Sequence, residues 1–242
     1  MKNQVLNELT HKGIFVNDQL LNETDKNNLK KDFEIKIKKK DTETFKINDD
    51  KEIKQISETL YNFLQRDYIK NSISEYFGSE VKCSTVLFSR TKPEIKKNDS
   101  ENIMAASVLG FHNDDEGKQI KINILLSDLS KDSNGLEYAI FSHKVSLIDR
   151  FIVSILRIFG FFKGWNKHFV NYQKNKFQGK RVNFMSENDV KKKFQIIKVY
   201  GNSGLVYIFD TNGFHRQGSV LSKNLLEKQR ELITIYLDPK KN

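Results

Sequence analysis

Phe111-His112-Asn113-Asp114-Asp115-Glu116-Gly117 is the stretch on which the reading of this 242-residue chain turns. It is read together with a second one downstream, Phe209-Asp210-Thr211-Asn212-Gly213-Phe214-His215-Arg216-Gln217-Gly218. His112 and Asp114 are two apart, so on a β-strand both side chains leave the same face. Asp115 points the other way, which makes Asp114 the carboxylate of the pair. With His215 added they form a set of two histidines and one carboxylate. Such a set suits Fe(II) and leaves the opposite coordination positions open.

Working outward, the flanking segments alternate as strands do. From Lys118 to Leu126, Ile120, Ile122, Ile124 and Leu126 share one face and Lys121, Asn123 and Leu125 the other. Asn123 then either projects into a barrel beside a cofactor or lies on the polar face of an exposed strand. Further strands are expected over Val81–Phe88, Ile103–Phe111, Leu136–Phe141, Phe194–Tyr200, Leu205–Phe209 and Glu231–Leu237. The turn Gly201-Asn202-Ser203-Gly204 is read as joining two of them in a hairpin. Asp132-Ser133-Asn134-Gly135 is turn chemistry ahead of Leu136.

Upstream, Gly13-Ile14-Phe15-Val16 reads as a short strand and Asn22 as the start of a polar helix with Leu29 and Phe33 inward. Phe33, Ile35 and Ile37 also alternate with charged residues, as do Phe45 and Ile47, which suggests a small two-stranded hairpin. Ile53, Ile56, Leu60 and Phe63 or Leu64 follow helical spacing behind Asp49 or Asp50 as N-cap. The helix continues or restarts through Ile69, Ile73 and Phe77 to Gly78. Helices first and strands afterwards predict an α+β chain, with a helical region at about 18–78 and a β-sandwich or jelly roll behind it. The length suits a single domain over 1–242.

The net charge of +10 and pI near 9.4 favour an anionic partner. Acidic residues are interspersed among the lysines, however, and no basic-aromatic motif stands out, so a specific nucleic-acid role is not expected. One cysteine, Cys83, excludes an internal disulfide and fits a reducing compartment. The first residues lack an apolar signal core, and no stretch reaches the ~18 apolar residues of a membrane span. The expected location is the cytoplasm. An apolar and basic insertion at about 145–193 interrupts the strand pattern. Its segment 147–167 fits a helix packed on the barrel, a lid, or an element in peripheral contact with a membrane surface.

The order of motifs resembles the phytanoyl-CoA dioxygenase family of iron- and 2-oxoglutarate-dependent oxygenases. The resemblance rests on His112-x-Asp114, Leu126-Ser127-Asp128, Asn134-Gly135, Phe141-Ser142-His143-Lys144, Phe209-Asp210 followed by His215, and Arg230 opening the last strand. It implies a double-stranded β-helix of jelly-roll, cupin-like type with the N-terminal helices packed on one sheet. It implies His112, Asp114 and His215 as metal ligands, and Fe(II) and 2-oxoglutarate as cofactors with ascorbate as a candidate reductant. Arg230, a planar fork suited to a carboxylate, would pair the far end of 2-oxoglutarate, with Asn123 beside it. The expected outcome is hydroxylation of a small-molecule or lipid- or sugar-linked substrate, anionic or acyl in character, with release of succinate and carbon dioxide. Phe141 departs from the family's glycine, and the 147–193 insertion and the His215-to-Arg230 spacing are long.

Rival readings attach to single residues. His143 is expected to be structural because three ligands already complete the site. Arg216 is expected to be solvated. The carboxylate at Asp114 argues against a halogenase, where chloride takes its place. A cupin-like binding or regulatory protein that keeps the metal site without turnover is the alternative from another class. A hydrolase or isomerase using a different metal stands behind it.

Overall fold

The computed structural model describes residues 1–38, 41–91, 111–114, 119–144, 182–185, 187–218 and 229–240, with main chain only at 182–185, 187 and 189. The expectations for 92–110 and 147–167 therefore lie outside the described residues.

A helix the sequence reading did not anticipate opens the chain: α1, Lys2–Lys12, with Val5 and Leu9 buried one turn apart and Gly13 left-handed at its end. The strand β1, Ile14–Asn17, follows as expected. Next comes α2, Glu23–Ile37, which starts with a capping box in which Asn22 accepts from the Asp25 amide and Asp25 answers the Asn22 amide. Its buried residues are Leu29, Phe33 and Ile37, four apart, while Ile35 stays exposed. This corrects the expected hairpin over Phe33–Ile47. Two periods competed in that segment, and the helical one won because it alone buries three large side chains together. The other half of the supposed hairpin, β2, Thr42–Lys46, pairs instead with the long strand β3, Val81–Thr91.

The run from Ile53 to Leu64 is also two helices rather than one continuous helix. α3, Asp50–Ile56, is capped by Asp49, and α4, Glu58–Leu64, by Ser57, whose hydroxyl accepts from the Leu60 amide. Ser57 itself is extended (φ −160°, ψ 117°), so the chain breaks there without disturbing the apolar spacing. α5, Asp67–Phe77, ends at left-handed Gly78 as expected.

The strand-rich half comprises β4 (Phe111–Asp114), β5 (Ile120–Leu125), β6 (Leu136–Ala139), β7 (Val182–Met185), β8 (Ile196–Lys198), β9 (Val206–Asp210), β10 (His215–Gln217) and β11 (Arg230–Pro239). One sheet has the order β1-β9-β5-β11-β3-β2 and the other β7-β4-β10-β6-β8. From β3 to β6 and again from β9 to β11 the chain crosses from sheet to sheet at every step, which is the double-stranded β-helix, or jelly roll. Two expectations are corrected here. β8 and β9 are not a hairpin, since β8 pairs with β6 and β9 with β1 and β5. The Gly201–Gly204 turn carries the chain across the barrel rim, held by paired bonds between Leu129 and Gly201 and by Gly204 donating to Leu125 O. The insertion at 145–193 also supplies structure of its own: β7 extends the second sheet by pairing with β4, and α6, Glu187–Lys193, follows it.

The core lies mainly between helices and sheet. Leu9, Leu29, Phe33, Leu60, Phe63 and Ile73 pack on the outer face of the six-stranded sheet against Phe88, Ile122, Ile124, Ile208 and Ile233. Apolar contact of this extent is the main stabilising term for such a layer. It fixes the phase of β5, turning Lys121, Asn123 and Leu125 into the barrel.

Candidate functional site

Sheet register, rather than any local motif, assembles the site. β10 pairs antiparallel with β4, and His215 stands directly opposite His112. Side chains so placed start ~4.5–5.5 Å apart, and here the two imidazole centroids lie 4.6 Å from each other. Asp114, two residues along β4, shares their face. Its Oδ1 is 3.9 Å from His112 Nε2 and its Oδ2 3.9 Å from His215 Nε2. One potential ligand atom from each of the three lies within 4.8 Å of the others. No other such group of three forms among the described residues.

The tautomer of His215 follows from its neighbour. Nδ1 is 2.9 Å from the Gly213 carbonyl, which can only accept, so Nδ1 carries the proton and Nε2 offers its lone pair to the cluster. Burial pushes the His215 pKa down to about 3, helped by His112 and opposed by Asp114. Burial works to raise the Asp114 carboxyl, yet the charge of Lys121, with His215 and His112 behind it, holds it well below the usual carboxylate range. At neutral pH the cluster is thus a neutral imidazole, His215, beside a carboxylate. Those are the forms a divalent metal needs.

The loop that delivers His215 is tied down from three sides. Tyr76 of α5 donates to Asp210 Oδ2 at 2.5 Å, Asp210 Oδ1 accepts from the Asn212 amide at 2.8 Å, and Tyr138 donates to the Asp210 carbonyl at 3.1 Å. The Asp114 amide donates to Thr211 O at 2.9 Å, joining the two halves of the site.

Arg230 opens β11 on the same face as Leu232 and Thr234, as expected. Its Nη1 donates to Asn134 O at 2.8 Å, while its Nε is buried without a partner, as are Nδ2 and Oδ1 of Asn134. Burial lowers its pKa, with Tyr207 acting in the other direction. Unpartnered buried polar atoms are uncommon and costly. Here two donor groups and an acceptor belong to two residues that one hydrogen bond already joins. Asn123 does project inward, and its Oδ1 accepts from Thr234 Oγ1 at 2.5 Å.

Three further side chains complete the comparison with the sequence reading. His143 stands apart from the cluster, its Nε2 3.3 Å from the Thr10 carbonyl. Arg216 is not solvated; this expectation is corrected. It is buried on the outer face of the second sheet, its Nε 2.7 Å from Glu137 Oε2 and its guanidinium 4.3 Å from the Phe111 ring centroid. Strand alternation placed it opposite His215, and that face is covered by Phe214, Phe111 and Val190. Lys121 was missed as a site residue, although its phase on β5 alongside Asn123 was the signal.

No protein-family model and no curated protein sequence matches the chain at a significant level. Solved structures do. The non-haem α-ketoglutarate-dependent carbocyclase SnoK from nogalamycin biosynthesis aligns over 98% of this chain and 83% of its own, at 13% identity and a TM-score of 0.60. HygX from Streptomyces hygroscopicus, with nickel and 2-oxoglutarate bound, aligns over 99% and 88%, at 13% identity and 0.59. The epimerase SnoN, in complex with Fe3+, α-ketoglutarate and nogalamycin RO, aligns over 98% and 83%, at 11% identity and 0.57. At these identities the likeness is one of fold, and it spans the helices as well as the barrel.

Proposed function

We propose that this chain is a non-haem, Fe(II)- and 2-oxoglutarate-dependent oxygenase that hydroxylates a small molecule, with His112, Asp114 and His215 as the metal ligands. The observation that carries this reading is the convergence of those three side chains on one face of two paired strands. The donor set fits the metal: two imidazoles and a carboxylate on one side, with the barrel interior facing the other. The unpartnered polar atoms of Arg230 and Asn134 fit the second cofactor, since a carboxylate arriving there would accept from both. When bound, iron and 2-oxoglutarate supply the oxidation, with dioxygen consumed and succinate and carbon dioxide released.

The chain's own residues bind and orient. Gly213 fixes the His215 tautomer, Thr234 fixes the Asn123 amide beside the cofactor, and Arg230 anchors the cofactor's distal end. Ascorbate serves as reductant, and a cytoplasmic location goes with the single buried thiol of Cys83. No helix among the described residues is long and apolar enough to cross a membrane. SnoK and SnoN are a carbocyclase and an epimerase, so the barrel serves outcomes other than hydroxylation. The outcome depends on which substrate bond faces the metal.

The test is anaerobic addition of Fe(II) and 2-oxoglutarate. A weak visible charge-transfer band is expected, and His112→Ala should abolish it. Wild-type protein that gives no band refutes the assignment.

A further inference from the structure

Lys121 is the one charged side chain on the barrel-facing phase of β5, flanked by Ile120 and Ile122 on the opposite face. Its Nζ is 2.5 Å from Asp114 Oδ2 and 5.1 Å from the centroid of the Tyr236 ring on the neighbouring strand β11. Tyr236 is its direct cross-strand partner in the sheet. A lysine buried at such a place costs far more than a methionine of similar length would, unless it is paired. The pairing it has is with one oxygen of one carboxylate, and that carboxylate is the proposed metal ligand.

Both Asp114 oxygens face the histidines, Oδ1 toward His112 and Oδ2 toward His215. Free, the carboxylate could ligate through either oxygen or through both, as aspartates do on divalent cations. Coordination arithmetic makes the difference matter. A six-coordinate ion held by three protein atoms has three positions left. A chelating 2-oxo acid takes two and leaves one. A carboxylate binding through both oxygens would remove that last position. Lys121 occupies Oδ2 and leaves Oδ1 for the ion.

We propose that Lys121 is a positioning residue that holds Asp114 as a one-oxygen ligand and so keeps a coordination position open. This rests on the metal-site reading above. The ammonium has a second consequence in the metal-free protein, where it is the counter-ion that holds the Asp114 carboxylate in place among buried groups. The ligand is then already oriented when the ion arrives.

The experiment compares wild type, Lys121→Met and Lys121→Arg by crystallography at the metal, each loaded with Ni(II) and 2-oxoglutarate, and by calorimetric titration of the metal-free proteins with Ni(II). In wild type and Lys121→Arg one Asp114 oxygen should lie at bonding distance from nickel. In Lys121→Met both should, filling the position left beside 2-oxoglutarate, and affinity for nickel should fall about 10–100-fold, the usual cost of losing a partner of a metal ligand. Rescue by arginine separates positioning from mere packing, and thermal melts of the three proteins verify folding. One-oxygen ligation in Lys121→Met with unchanged nickel affinity overturns the role of Lys121 while leaving the metal site intact. Wild type that takes up no nickel at His112, Asp114 and His215 overturns the metal-site reading itself, and this inference with it.

Discussion

His215 should make the metal-free protein acid-sensitive in a window that can be calculated. Its pKa in the fold is pushed down to about 3, chiefly by burial, against about 6.5 for histidine in an unfolded chain. Between those values the unfolded chain binds a proton that the folded one does not, so stability rises with pH across the window and is lost as pH falls. From pH 7 to pH 5 the unfolded imidazole titrates almost fully while the buried one stays neutral. The loss from this group is therefore about 2 kcal/mol, at ~1.4 kcal/mol per pH unit over about 1.5 units. The lowered Asp114 carboxyl acts in the same direction but further down, below the ordinary carboxylate value near 4. It does not contaminate the interval. Urea unfolding with a chelator present, at pH 7 and at pH 5, reads the quantity directly. His215→Gln should lose about 2 kcal/mol less than wild type between the two pH values. His143, also lowered by burial, contributes equally to both proteins and cancels. Equal losses in wild type and variant would mean that His215 is solvated enough to protonate in place, and the closed, neutral-imidazole site would be wrong.

Arg230→Ala should weaken 2-oxoglutarate binding to nickel-loaded protein by about 10–100-fold, the ~1.5–3 kcal/mol of a charge-assisted hydrogen bond, with nickel affinity changed only a few-fold. Calorimetric titration of each ligand in turn checks this, and equal losses of both would tell against the assignment. Arg216→Ala should cost about 1–3 kcal/mol in urea unfolding because it takes the hydrogen-bonded partner from a half-buried Glu137. Arg216→Met combined with Glu137→Leu should restore most of that. A cost below about 1 kcal/mol for the single variant would mark the pair as solvent-screened.

The parts of the fold that could be read from the sequence were those set by neighbours along the chain. His112 and Asp114 share a face because strands alternate, and the Ile120–Ile122–Ile124 phase follows from the same period. The capping box at Asn22 and the stop at Gly78 are likewise local. What failed depended on partners distant in sequence. That β8 pairs with β6 rather than β9 is decided across the barrel, so a Gly-rich turn between two strands was misread as a hairpin. Alternation puts Arg216 on the face away from His215, but whether that face meets water depends on Val190 and Phe111. Ser57 was invisible for a different reason. The apolar spacing of Ile53, Leu60 and Phe63 is continuous across it, and only the cap to the Leu60 amide shows the break.

The division of labour between the layers explains why so many polar groups can line the interior. A small barrel normally fills its inside with apolar side chains. Here the inward positions on β5 and β11 include Lys121, Asn123, Arg230 and Thr234 beside Leu125 and Leu232, and each polar one costs desolvation that an aliphatic side chain would not. The helices compensate. Their largest apolar cluster lies on the outer face of the six-stranded sheet, so the stability of the chain does not depend on the barrel interior being dry. The second sheet has its own apolar cover, Val190 on Phe111, Ala139 and Phe214, directly behind the strands that carry His112 and His215. Packing thus presses on both sheets from outside, and the face that carries His112, Asp114 and His215 is held from behind. Truncating the helical region would therefore remove more than mass, because Tyr76 of α5 is one of the ties that aims the His215 loop. The helices are part of the site.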